Sequence, residues 1–184
     1  MNTVVVGLGN ILLRDEGLGV WAIRTIQRQF LVPPEVTMLD GGTLGLDLLP
    51  QVEAAGRLLV IDAVQVGCVP GTLVRLTADA ISRTAGLRVS PHDVGLPDLL
   101  AAAALRDRTP KTVVLWGMEP ADLSPGIGLS PIVSHRLPAL VEAVLQELCW
   151  WGIWVRPASG PAWTSSHSPA PPDLPRVASH DASR

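Results

Sequence analysis

Asp15, Glu16, Asp40, Asp62 and Glu119 each stand just beyond a run of apolar residues, where a buried strand would give way to a loop. His92 stands just before another such run, Val94–Leu105. In open α/β sheets ligands bind outside the carboxyl ends of the strands, so this spacing gathers the side chains on one rim. Carboxylates withdrawn from water are costly unless they are paired or hold a cation. A Glu, an Asp and a His on this rim would bind a divalent ion and leave coordination positions open to a substrate. Each position also has a plainer use. Asp40 suits a turn or a helix N-cap. Asp15 and Glu16 complement the dipole at a helix start. His92 with Asp93 suits hydrogen bonding within a loop.

The elements that must carry these residues alternate. Thr3–Gly9 reads as a buried strand, and Glu16–Phe30 follows with helical apolar spacing. Val36–Leu39 is a short strand ending at Asp40-Gly41-Gly42-Thr43, and Leu46–Ala54 a helix. Arg57–Val64 is a second apolar strand; Val69-Pro70-Gly71 then turns the chain, so Thr72–Leu76 is expected antiparallel to what precedes it. Val94–Leu105 is helical and Thr112–Trp116 a strand. Ser130 as N-cap and Pro131 at the first helical position open a last helix that runs to about Trp151. The pattern predicts an α/β fold: a three-layer α/β/α sandwich around a mostly parallel, mixed sheet of about five strands.

Composition bounds the rest. The chain has 184 residues and 47% hydrophobic residues, enough for one domain with a buried core. Lys and Arg number 14 against 17 Asp and Glu, a net charge of −3, and Lys111 is the only lysine. No basic face for nucleic acid is expected. Cys68 and Cys149 lie far apart and support neither a disulfide framework nor a thiolate zinc site. Thr3–Gly9 has no basic residues before it, and Leu140–Val155 is interrupted by Glu142, Gln146 and Glu147. Neither a signal peptide nor a membrane span is expected, and the location expected is cytoplasmic. Six of the 17 prolines fall after residue 156, among serine and alanine. The expectation is a single domain over residues 1–156 and a disordered tail over 157–184. Trp150, Trp151, Trp154 and Trp163 near that junction are expected to cap the core, with a partner-binding patch as the alternative.

H-E-x-x-H, G-x-S-x-G and the P-loop lysine are all absent. Gly7-x-Gly9-x-x-Leu12 resembles a dinucleotide fingerprint, but Leu12 replaces the third glycine and Asp15 and Glu16 would repel a pyrophosphate. The segment Gly7–Gly19 resembles instead the N-terminal signature of the nickel-iron hydrogenase maturation endopeptidases. Asp40–Gly45, Ile61–Ala63, Ser90–Leu96 and Gly126–Ser130 resemble the later blocks of that family, in its order.

The resemblance implies a protease that removes a C-terminal extension from the precursor of the nickel-iron hydrogenase large subunit after nickel insertion. It places the metal-contacting positions on Glu16, Asp62 and His92, three of the residues gathered on that rim. Nickel(II) is then carried by the substrate rather than held permanently, and other divalent ions can occupy the site. Asp40 is a further catalytic candidate, and Gly41, Gly42 and Thr43 are candidates for positioning an extended peptide. Chemistry at the metal and chemistry at Asp40 with the metal as anchor both fit. The partner implied is the precursor alone, with no nucleic acid or membrane, and the enzyme is expected as a monomer. Two alternatives are a nickel-binding chaperone without proteolysis and a peptidyl-tRNA hydrolase. The latter shares Gly7-Leu8-Gly9-Asn10, but its motif continues into a proline-glycine turn and a histidine that this chain lacks before His92.

Overall fold

Every residue of β1 (Thr3–Leu8) is buried, as are all but the first residues of β4 (Arg57–Ala63) and β6 (Thr112–Met118). Strands covered on both faces read as continuous apolar runs, and these three form the centre of the sheet. The computed structural model describes residues 1–83 and 95–159. Around the central strands lie α1 (Leu18–Gln29), β2 (Phe30–Leu31), β3 (Val36–Gly42), α2 (Leu49–Ala54), β5 (Leu73–Thr77) and α3 (Ala78–Arg83). The remainder are α4 (Leu96–Leu105), α5 (Pro131–Trp150) and β7 (Arg156–Pro157). Short 3₁₀ turns at Arg14–Gly17 and Gly45–Leu48 lead into α1 and α2.

The main sheet has the order β3-β1-β4-β6-β5, parallel except for β5. On one face Val5, Leu59, Ile61 and Val114 pack with Ile23 and Ile26 of α1 and with Leu140, Val144 and Leu148 of α5. On the other, Val4, Val6, Leu58, Val60 and Leu115 pack with Val52 of α2 and Leu99 and Ala103 of α4. Alternate side chains along each strand thus feed opposite cores, and the expected three-layer α/β sandwich is formed. Among the described residues, no helix is long and apolar enough to cross a membrane.

Three details depart from the sequence reading. The return strand β5 runs antiparallel, but its hydrogen-bonded neighbour is β6, which lies between it and β4. A side-chain network fixes that edge: Arg75 makes two 2.8 Å bonds to Glu147 of α5, and Trp116 Nε1 donates to the same carboxylate at 3.1 Å. Glu147, which breaks the apolar pattern of the last helix, is therefore a buried partner for Arg75. Lastly, β2 and β7 form a separate antiparallel ribbon, and Ala158 N–H donates to the Gln29 carbonyl. Trp151 lies half-buried under the Arg57 guanidinium, whereas Trp154 is exposed; Trp163 falls outside the described residues.

The first helix approaches the sheet very closely. A Cβ on Gly19 would run into the carbonyl oxygens of Ile61 and Leu8, and one on Gly9 into the carbonyl of Glu16. Gly9 also sits at φ +125°, a conformation open to glycine. These contacts are with backbone, which has little freedom to move aside. Gly19→Ala is accordingly expected to destabilise the fold by about 3 kcal/mol, the upper range for overpacking, read as a lower urea midpoint with an unchanged slope.

Candidate active site

Glu16 and Asp62 come from different elements and meet at the carboxyl end of the sheet. Glu16 lies in the 3₁₀ turn before α1, and Asp62 is the penultimate residue of β4. Each is 1% exposed. The Gly9 and Gly19 contacts bring the turn down onto the ends of β1 and β4, which is how two residues 46 positions apart in the sequence become neighbours. Asp62 accepts a 2.8 Å bond from the Ala63 N–H. Burial pushes the Asp62 carboxyl well above its ordinary range and the charge of Glu16 pushes it further, while the Ala63 bond pulls the other way. Two neighbouring buried carboxylates form a donor set suited to a divalent cation, whose charge would relieve both burdens. Among the described residues no third such side chain completes a cluster. His92, the remaining expected ligand, lies outside the described residues.

Asp15, next to Glu16, is fully buried and has a different role. Its carboxylate accepts bonds from the N–H groups of Ala121 and Asp122 at 2.9 Å, from Ser130 N–H at 2.6 Å and from Ser130 Oγ at 2.7 Å. These bonds fasten the first loop to the segment that connects β6 with α5. Ser130 stands at the N-cap of α5 as expected, but its hydroxyl donates to Asp15 and makes no side-chain cap. Glu119 also holds a loop: its carboxylate accepts from Val66 N–H at 2.8 Å and Cys68 N–H at 3.2 Å.

Asp40 is exposed and paired with Arg24 of α1, at 3.0 Å from Nη2 and 3.2 Å from Nε. It shares a face of the edge strand with Val36 and Met38, which pack toward α1. Asp62 has the alternation of Leu58 and Val60, which feed the opposite core. The two aspartates therefore leave the sheet on opposite sides, with β1 between their strands. Gly41 is buried, and a Cβ there would meet Val6, Leu8 and Leu48 side chains. Gly42 at φ +46° and exposed Thr43 form the open part of that loop.

The structure gives an α/β domain with a buried carboxylate pair at the strand ends, where such sheets bind ligands, and comparison with known proteins supplies the class. Residues 20–147 match the family model described as hydrogenase maturation protease. A HupD hydrogenase expression/formation protein of Bradyrhizobium diazoefficiens is 41% identical over 160 residues, which cover 86% of this chain and 83% of that protein. A hydrogenase 2 maturation protease of Escherichia coli is 36% identical over 149 residues, covering 80% of this chain and 91% of that protein. The solved hydrogenase maturating endopeptidase HybD of E. coli superposes with a TM-score of 0.81 at 35% identity, covering 86% of this chain and 98% of that one. The chain belongs to the hydrogenase maturation protease family and is a peptidase.

The Asp62 carboxyl yields a prediction about stability. It keeps its proton to higher pH when folded than when unfolded, so stability falls as pH rises from the ordinary carboxyl value to the raised one, and the penalty persists above. Asp62→Asn should remove that penalty and raise the metal-free melting temperature at pH 7. Calorimetry between pH 4 and pH 8 checks this. An unchanged midpoint at every pH would contradict the desolvated setting of Asp62.

Proposed function

We propose that this protease removes the C-terminal extension of the nickel-iron hydrogenase large-subunit precursor, and that Glu16, Asp62 and His92 read the nickel which that substrate carries. The observation that carries the reading is the buried Glu16–Asp62 pair at the carboxyl end of β1 and β4. The relatives named as hydrogenase maturation proteases support the same substrate class.

Electrostatics explains why nickel would act as the signal of a finished precursor. Two carboxylates carry the charge needed to neutralise one divalent ion, and imidazole is a good nickel ligand. A precursor without nickel brings nothing to offset the two buried charges, so its engagement gains little. A loaded precursor brings its cation, and the gain appears as binding that places the scissile peptide beside the site. The substrate's metal then supplies Lewis acidity toward a carbonyl or a water. Asp40, ion-paired with Arg24 on the far side of β1, is assigned to positioning the peptide, together with Gly42 and Thr43. Gly41 supports that loop from within the core.

Incubation with nickel-loaded precursor should release a C-terminal peptide detectable by mass spectrometry, and nickel-free precursor should release none. Glu16→Ala, Asp62→Ala and His92→Ala should each reduce release below detection; normal release by all three would overturn the site assignment. Asp40→Asn should raise KM while kcat stays within about threefold, the pattern of a lost ground-state contact. A collapse of kcat at unchanged KM would instead place Asp40 in the chemistry.

A further inference from the structure

The loop that bears Glu16 is fastened along its length to one other segment. Gly126 N–H donates to the Leu12 carbonyl at 2.8 Å, and Arg14 N–H to the Gly126 carbonyl at 3.0 Å. Asp15 N–H donates to the Asp122 carbonyl at 3.1 Å, and Arg14 Nε lies 3.2 Å from an Asp122 carboxylate oxygen. The four bonds onto the Asp15 carboxylate complete the attachment. Within it, Arg14 is held at φ +48°, a left-handed conformation that costs a non-glycine residue free energy and persists only where the surroundings impose it. The segment on the other side ends at Ser130, directly before the first residue of α5. The long C-terminal helix, the loop after β6 and the turn carrying Glu16 therefore share one anchor.

We infer that Asp15 and Ser130 are positioning residues for Glu16: their buried hydrogen bonds hold the turn that directs the Glu16 carboxylate toward Asp62. The inference rests on the reading of Glu16 as a contact to the substrate's nickel. Carboxylate–hydroxyl and carboxylate–amide bonds are charge-assisted and directional, which suits them to fixing an angle as well as adding stability. Asp15 and Glu16 are neighbours in one 3₁₀ turn, joined by a planar peptide bond, so a shift of the Asp15 backbone is passed to the backbone of Glu16. Groups hydrogen-bonded to a metal contact itself typically change affinity or activity about 10–100-fold when removed, and an anchor that acts through the adjacent residue belongs at the low end of that range.

Asp15→Asn would turn an NH₂ group toward backbone N–H donors and endanger the fold, so the informative variant is Ser130→Ala. It removes one of four bonds and keeps the backbone donors, and Ser130→Thr restores the hydroxyl. Two quantities are measured on the full chain, well below each melting temperature: kcat and KM for loaded precursor, and affinity for nickel ion alone by competition with a chromogenic chelator. Ser130→Ala is expected to lose at least about tenfold in kcat/KM and in nickel affinity, and Ser130→Thr to remain within about threefold of wild type. Wild-type values of both quantities in folded Ser130→Ala would overturn the inference, as would failure of Ser130→Thr to restore them. Glu16→Ala separates the two levels. If it alone abolishes cleavage and nickel binding while Ser130→Ala does not, only the positioning role falls. If Glu16→Ala is itself unaffected, the reading of the site falls with it.

Discussion

The buried carboxylate of Asp15 organises the carboxyl end of the sheet, where Glu16 meets Asp62. A charge taken wholly out of water is unfavourable unless its lone pairs are matched, and here four donors match them: three backbone N–H groups and the Ser130 hydroxyl. Two of those backbone donors belong to Ala121 and Asp122, so the loop after β6 takes its course from Asp15. The third belongs to Ser130, so the start of α5 does as well. With that anchor in place, the turn at Arg14–Gly17 has a defined orientation over the strand ends.

Asp15 and Glu16 show how adjacent acids acquire different roles. Asp15 is saturated with donors and ties chain to chain. Glu16 meets Asp62, and the pair raises the proton affinity of Asp62 through burial and like charge. Arrangements of this kind oppose stability while they prepare a site, a conflict common in enzymes. The pair stays in place because the Asp15 attachment prevents the turn from relaxing outward. The left-handed Arg14 is a second sign that this loop is held against its local preference.

The rest of the rim follows from the pleat of the sheet. Carboxylates at successive strand ends share an edge of the molecule, yet the face each side chain takes depends on its position along its own strand: Asp40 is in register with Ile61, one residue before Asp62. Asp40 emerges beside α1 and pairs with Arg24; Asp62 emerges with the alternation of Leu58 and Val60. Glu119 turns to the amides of Val66 and Cys68 and closes the loop after β4. A rim that reads as five equivalent acids thus divides into one facing pair, two loop anchors and one surface ion pair.

The sequence by itself determined the fold class, most of the central strands, the position where α5 begins and the candidates Glu16 and Asp62. Each rests on a local signal: continuous apolar runs, a proline at a helix start, an acid at the end of a strand. It also carried the family's blocks, since a motif is a linear object. Tertiary structure alone decided that β5 pairs with β6, that Ser130 donates to Asp15 instead of capping its helix, that Glu147 answers Arg75, and that Asp40 diverges from Asp62. Those outcomes depend on which segment arrives from a distance and on which side of the pleat it arrives. A carboxylate's partner is chosen by that three-dimensional arrangement, and one-dimensional spacing holds no record of it.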